Sequence, residues 1–216
     1  MKTLVEGLRK FSSEVYPNKR SLFDELARGQ KPHTLMITCS DSRIDPNLVT
    51  QTEPGELFVI RNAGNIVPPF GSSKGGEEAS IEFAVEVLGV SNIVICGHSH
   101  CGAMNALMEP EKVASLPSVH SWLGHAAATR RRIQSGNSDR AHPLTPAEEN
   151  VLVQAENLKT HPAVSAALRR GSIEIYGWVY HFEDGVVKIY DPSKDAFVSS
   201  AEVKDRALGN PHSLSI

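Results

Sequence analysis

The sequence predicts an α/β protein built on a central, mostly parallel β-sheet flanked by helices. Three observations carry that expectation. Short apolar runs at Thr34 to Thr38, Leu57 to Ile60 and Asn92 to Cys96 have the length of strands. They are apolar on both faces, as strands covered on both sides must be. Helical stretches separate them, and parallel neighbours need such crossovers.

The elements follow in order. The first 29 residues read as helical, in two pieces broken near Pro17. Leu22, Phe23, Leu26 and Ala27 keep helical spacing in the second piece. The strand Thr34 to Thr38 ends at Cys39, and the strand Leu57 to Ile60 ends at Arg61. A helix is expected from about Glu77 to Leu88, with Ala79, Phe83, Val87 and Leu88 on one side and Gly89 as its stop. The third strand ends at Gly97-His98.

Thr145-Pro146-Ala147-Glu148 is a capping box with proline in the first helical position. That helix should run towards His161, and another should cover Ala163 to Arg170. Ser172 to Tyr180 and Gly185 to Tyr190 read as two strands around a turn at Glu183-Asp184-Gly185. No repeat or low-complexity stretch interrupts the chain. The expectation is one domain over residues 1–216, with a helical arm at 1–29 and the α/β core and C-terminal strands at 30–216.

Composition narrows the functional classes. Lys and Arg number 22 against 25 Asp and Glu, so the net charge of −3 gives no footprint for nucleic acid. The short basic run Arg130 to Arg132 reads as a solvated helix face. No stretch approaches the roughly 20 apolar residues of a membrane span. The amphipathic start, carrying Glu6 and Glu14, is no signal peptide. The chain therefore reads as soluble and cytoplasmic, either free or inside a bacterial microcompartment. In a reducing compartment, three cysteines are free, catalytic or metal-bound rather than disulfide-bonded.

Two of those cysteines stand where ligands bind. In open parallel sheets, ligands sit outside the carboxyl ends of the strands. Cys39 and His98 each directly follow a strand, and Cys101 is three residues beyond His98 where a helix begins. Thiolate and imidazole are good zinc ligands, and three protein ligands leave the open position of a catalytic site. The spacing fits two ordinary buried cysteines equally well. Cys96 lies within an apolar strand and reads as core. His100 competes with His98 but would point the other way from an extended segment. His33, His142 and His212 sit in polar contexts and read as surface residues. Asp41, two residues after Cys39, can coordinate a metal or accept a hydrogen bond from its water. Arg43 can hold that carboxylate in a bidentate pair.

Cys39-Ser40-Asp41-Ser42-Arg43, Arg61-Asn62-Ala63-Gly64-Asn65 and His98-Ser99-His100-Cys101-Gly102 together resemble a β-class carbonic anhydrase of the bacterial and cyanobacterial type. Pro54-Gly55-Glu56, Gly75-Gly76 and Gly177-Trp178-Val179-Tyr180 extend the resemblance along nearly the whole chain. The resemblance implies one zinc ion per subunit on Cys39, His98 and Cys101, with Asp41 and Arg43 as a catalytic dyad. It implies reversible hydration of carbon dioxide to bicarbonate and a proton through a zinc-bound hydroxide. It also implies a homodimer, often doubled to a homotetramer, in which the N-terminal helical arm packs on the partner subunit. By the same resemblance Gln30 contacts substrate from across the interface. Phe58, Ala63 and Phe83 line the carbon dioxide pocket, although plain core packing explains those three as well.

Some members of that family hold a regulatory bicarbonate with a tryptophan, an arginine and a tyrosine. Here Arg61 and Tyr180 match the arginine and tyrosine positions, but Met36 stands at the tryptophan position. The expectation is therefore an open site with Asp41 paired to Arg43. Three rivals remain: hydrolysis of carbon disulfide or carbonyl sulfide, a Cys39 nucleophile, and a non-catalytic zinc module. A phosphatase-type cysteine needs an arginine after five intervening residues, whereas Arg43 follows Cys39 after three.

Overall fold

The computed structural model describes residues 1–136 and 143–203. His142 and His212 lie outside them. The chain divides into two compact units, Met1–Lys31 and the chain from Pro32 onward.

The first unit is helical. It holds α1 (Lys2–Lys10), a five-residue π turn (Phe11–Val15), a short helical turn (Tyr16–Asn18) and α2 (Arg20–Leu26). The break falls at Lys19, with φ −117° and ψ 22°, rather than at Pro17, which stays helical. A proline ring clashes with the carbonyl four residues back, and the wide turn just before Pro17 relieves that clash. Tyr16 and Phe23 stack at 5.1 Å across the break, and Phe11 meets Phe23 edge-on at 5.7 Å. Neither α1 nor α2 buries a residue, and Leu4 and Leu8 stay exposed.

The second unit is organised by a six-stranded sheet of order β2-β1-β3-β4-β5-β6. Its strands are β1 (Thr34–Cys39), β2 (Leu57–Asn62), β3 (Asn92–His98), β4 (Glu174–Tyr180), β5 (Val187–Asp191) and β6 (Ala196–Ser199). The first four run parallel, and β5 and β6 are antiparallel. β1 is buried along its whole length, whereas β4 alternates between buried and half-buried residues. The difference lies in the faces: β1 is covered on both, whereas β4 is fully covered only on the face of Ile175, Gly177 and Val179. From β1 the chain crosses outward to β2, then returns to β3 on the other side of β1. The connections therefore diverge between β1 and β3, which is where open α/β sheets form their ligand crevice. Pairing of Ile37 with Ile95 and Thr38 with Cys96 brings the two strand ends together, at Cys39 and at His98. β6 was not expected from the sequence.

The helices of this unit are α3 (Pro46–Thr50), α4 (Gly76–Glu82), α5 (Gly102–Met108), α6 (Pro117–Leu123), α7 (Ala127–Gln134), α8 (Pro146–Lys159) and α9 (Pro162–Arg169). α8 starts at the expected capping box: the Glu148 amide donates to Thr145 Oγ1 and the Thr145 amide to Glu148 Oε2. Leu35, Ile37, Ile93, Ile95 and Ile175 pack with Val151, Leu152, Leu158 and Val164 in the main core. α8 lies close against the sheet at Val151. A Cβ on Gly97 would sit 3.0 Å from one Val151 methyl, and a Cβ on Gly177 would sit 2.8 Å from the other. Met36, Val94 and Cys96 belong to a separate cluster with Tyr176 and Trp178. A 360 Å3 cavity lies beside it, lined in part by Met36, Leu57, Val94, Tyr176 and Trp178.

Two expectations change. α4 continues through a π turn at Phe83–Val87, and the segment buries Ile81, Ala84 and Val85 rather than the Ala79, Phe83, Val87 stripe. Phe83 is 42% exposed and Val87 65%. Both stripes satisfy helical spacing, and the sheet takes the one with the small Ala84 at its centre. The basic run is not wholly solvated either. Arg132 on α7 bonds Glu149 and Glu156 on α8, tying the two helices together. His33 is exposed as expected, but His161 is buried, and its Nε2–H donates to the Pro68 carbonyl at 3.0 Å.

Candidate metal centre

Cys39 ends β1, His98 ends β3, and Cys101 caps the start of α5. All three are buried, and their ligand atoms lie within 4.8 Å of one another. His98 is oriented by its own neighbour. Its Nδ1–H donates to the Ser99 carbonyl at 2.8 Å, which leaves the Nε2 lone pair for the cluster. Nε2 is buried and has no hydrogen-bond partner among the described residues. A buried imidazole nitrogen is costly to leave unpaired unless something else occupies its lone pair.

The thiols differ. The Cys101 S–H hydrogen bond pulls Cys39 down to about 4, with help from His98 and the Gly64 and Asp41 amides. The charge on Cys39 and burial push Cys101 up, against the pull of the Met104 and Ala103 amides. Burial works against the charged form of His98, but the Cys39 thiolate and the Ser99 carbonyl raise it overall. Two sulfurs, one of them ionised, and an unpaired imidazole nitrogen in a closed cluster fit zinc. Cys96 stays apart. It is fully buried, and burial pushes its thiol up to about 12.

Asp41 lies at the edge of this cluster, its Oδ2 3.9 Å from His98 Nε2. Arg43 grips it in a bidentate pair, Nε to Oδ1 at 2.9 Å and Nη2 to Oδ2 at 2.8 Å. The Arg43 amide adds a bond to Oδ1. The Arg43 guanidinium holds the Asp41 carboxyl well below the usual carboxylate range. Arg61 supports the same turn from below, donating to the carbonyls of Cys39 at 3.0 Å and Asp41 at 2.7 Å.

The loop after β2 also serves Cys39. The Gly64 amide donates to Cys39 Sγ at 3.4 Å. Gly64 has φ +83°, and a Cβ there would sit 2.9 Å from Ala103 Cβ, so only glycine fits. The loop is fixed from several sides. Asn62 bonds the amide and carbonyl of Ile66, and Trp122 Nε1–H donates to the Ala63 carbonyl at 2.8 Å. From α8, Asn150 Nδ2–H donates to the Gly64 carbonyl at 2.9 Å. Gln154 accepts from the Val67 amide, and Asn157 donates to the Val67 carbonyl. Thr129 on α7 and Gln154 both donate to Asn150 Oδ1. Sequence reasoning missed this ladder. Its signal was a polar stripe, Asn150, Gln154 and Asn157, at i, i+4 and i+7 of a helix otherwise apolar on its core side.

The remaining candidates are dispersed. Gln30 is exposed in the first unit. Ala63 is exposed on the Gly64 loop. Phe58 and Phe83 pack on each other at 6.1 Å. Phe58 is level with Leu35 in the sheet register, four residues before Cys39. That is about 13 Å along the strand. His100 has φ +52° and turns its ring to the Glu183 carboxylate, away from the cluster.

Fold and site together define a zinc enzyme whose parallel sheet delivers two thiols and an imidazole to one point, beside a carboxylate clamped by arginine. Residues 34–187 match the carbonic anhydrase family. The chain is 51% identical over 202 residues to a carbonic anhydrase of Synechococcus elongatus, covering 90% of this chain and 74% of that protein. It is 47% identical over 216 residues to a carbonic anhydrase of Pseudomonas aeruginosa, covering 97% and 96%. The solved structure of the β-carbonic anhydrase CcaA superposes with a TM-score of 0.87 at 45% identity, covering 92% of this chain and 91% of that one. A structure described among two tetrameric β-carbonic anhydrases of Sordaria macrospora superposes with a TM-score of 0.75 at 26% identity, covering 87% and 95%. The chain belongs to the β-class carbonic anhydrase family, and its reaction is the zinc-dependent, reversible hydration of carbon dioxide to bicarbonate and a proton.

No helix among the described residues is long and apolar enough to cross a membrane.

Proposed function

We propose that Cys39, His98 and Cys101 hold the zinc and that Asp41 and Arg43 are the catalytic dyad. The observation that carries this is the buried, unpartnered His98 Nε2 beside the two sulfurs, with Asp41 Oδ2 3.9 Å away. Zinc, when bound, supplies the Lewis acidity that brings the pKa of a water molecule down towards neutrality. The two thiolates offset its charge, so that ionisation falls at a higher pH than at a three-histidine site. Asp41, kept ionised by Arg43, offers an acceptor oxygen at the mouth of the cluster. An acceptor there orients an O–H group so that its lone pair faces an incoming carbon dioxide molecule. It also favours hydroxide over an anion with no hydrogen to donate.

The site takes its open form, with Asp41 on Arg43. Three features support that. The bidentate pair leaves both carboxylate oxygens engaged. Arg61 is committed to the carbonyls of Cys39 and Asp41, and Met36 is buried with no polar group to offer an anion.

Gln30, Ala63, Phe58 and Phe83 contact the substrate. The distance of Phe58 from its own Cys39, and the exposure of Phe83, suit a pair that lines the pocket of a neighbouring copy. The working unit is then a homodimer or homotetramer in which the arm packs on the partner. Its unburied apolar residues support this. Arm and core act as one domain, and the enzyme works in the cytoplasm, free or in a microcompartment. The test is stopped-flow carbon dioxide hydration by wild type and Asp41→Ala, with zinc analysis of both. Full zinc occupancy without wild-type activity would reject the assignment, as would an unimpaired Asp41→Ala enzyme.

A further inference from the structure

Arg43 has little in the way of an enclosing pocket: its side chain is 52% exposed. Ion pairs this exposed are weak in water, and long side chains in them wander. Asp41 grips one edge of the guanidinium, and the His100 carbonyl accepts from Nη2 at 3.2 Å. Its face is covered by one ring. Arg43 Cζ lies 4.5 Å from the centroid of Phe182. An arginine on an aromatic face gains both electrostatic attraction and planar stacking.

The same ring reaches a proposed ligand. Phe182 lies 5.0 Å from the His98 ring, and Tyr180 packs edge-on against it at 5.1 Å. The backbone of Phe182 is itself pinned to the segment that carries His98. Its amide donates to Ser99 Oγ at 3.0 Å, Ser99 Oγ–H donates to Glu183, and the Ser99 amide donates to the Tyr180 carbonyl. The ring thus stands at a fixed height beside the end of β3.

From this geometry we infer that Phe182 is a positioning residue, setting the plane of Arg43 and through it the aim of Asp41, while bracing His98. This rests on the reading of Asp41 and Arg43 as the dyad. In this role Phe182 acts through Arg43 and His98 rather than on the substrate itself. Its effect is on the fraction of time the dyad is aligned, so it should act on kcat and leave KM nearly unchanged.

The experiment compares Phe182→Leu, Phe182→Met and Phe182→Tyr, alone and combined with Arg43→Gln, all loaded with zinc. The Leu and Met variants fill the space without a ring face, so either serves if the other folds poorly. Each should lose roughly three- to tenfold in kcat with KM within about twofold, and Tyr should restore kcat. On top of Arg43→Gln, the Leu change should add less than about twofold. The second readout is the Arg43 Nε–H resonance in the 15N-labelled, zinc-loaded protein. In wild type and Tyr it should be displaced upfield by the ring and slow to exchange, and in Leu both signatures should vanish. A wild-type kcat and an unmoved resonance in Leu and Met would overturn the inference. So would losses that multiply in full with Arg43→Gln, because Phe182 would then act independently of Arg43. Wild-type activity in Arg43→Gln alone would reject the dyad, and with it the catalytic role of Phe182. The resonance would still report whether the contact exists.

Discussion

Val151 stands between two glycines, with one methyl facing Gly97 on β3 and the other facing Gly177 on β4. This contact sets how closely α8 approaches the sheet, and α8 carries the polar ladder that fixes the Gly64 loop. Gly177→Ala would place a Cβ 2.8 Å from Val151, closer than real contacts allow. The expected cost is about 1–3 kcal/mol of stability. Val151→Ala in the same chain should recover part of it, read as the midpoint of urea unfolding.

Asn150→Ala removes the donor to the Gly64 carbonyl and the acceptor shared by Thr129 and Gln154. Buried groups left unpaired cost about 1–3 kcal/mol. The informative result is on the metal, because a loosened Gly64 amide no longer supports the Cys39 sulfur. Zinc affinity, measured by chelator competition, should fall about tenfold, as it does when groups behind a ligand are lost. An unchanged affinity with reduced stability would confine Asn150 to a folding role.

The unequal thiols give zinc binding a pH dependence of known sign. In the metal-free protein Cys39 is ionised above about 4, while Cys101 keeps its proton past the ordinary thiol range. Against the effect of burial, the Cys39 thiolate and the Ser99 carbonyl raise His98, so a proton competes with zinc for it more than at an ordinary imidazole. Zinc needs both thiolates and a neutral imidazole, and loading it expels these protons. Affinity should therefore climb with pH by about tenfold per unit for each proton displaced. Calorimetry in buffers of different ionisation enthalpy should count at least one proton released per zinc at pH 7 and at pH 9. An affinity flat between those values would contradict the assignment.

Arg43→Lys keeps the positive charge but loses the two-pronged grip on Asp41. Activity should drop roughly 10- to 100-fold with zinc content unchanged. Asp41→Asn should do at least as much, since an amide presents a donor where the site needs an acceptor. The two losses together should be much less than multiplicative, because both changes break one clamp.

Much of the centre was legible because chemically distinct residues end uniform apolar runs. Cys39 and His98 stand out at the ends of β1 and β3, and a parallel sheet makes those ends the place to look. The capping box at Thr145 was legible for the same local reason. What the sequence hid depends on distant partners. The face α4 buries was ambiguous, because the Ala79 and Ile81 stripes have the same spacing and only the sheet selects between them. The burial of Asn150, Gln154 and Asn157 follows from docking a loop almost ninety residues earlier in the chain. Phe182 has no motif around it. Its importance comes from β4 lying beside β3, so that the turn after one strand reaches the ligand at the end of the other.

The divergence of connections between β1 and β3 has a consequence for how the enzyme matures. Cys39 and His98 are separated by 58 intervening residues and meet only when Thr38 is in register with Cys96. The full ligand set therefore exists only where these strands have paired, which couples zinc binding to the folding of the sheet. Once bound, the ion closes a long loop and acts as a cross-link at the centre of the sheet, adding stability in proportion to the logarithm of free zinc. Metal supply then governs how long the protein persists as well as how fast it works.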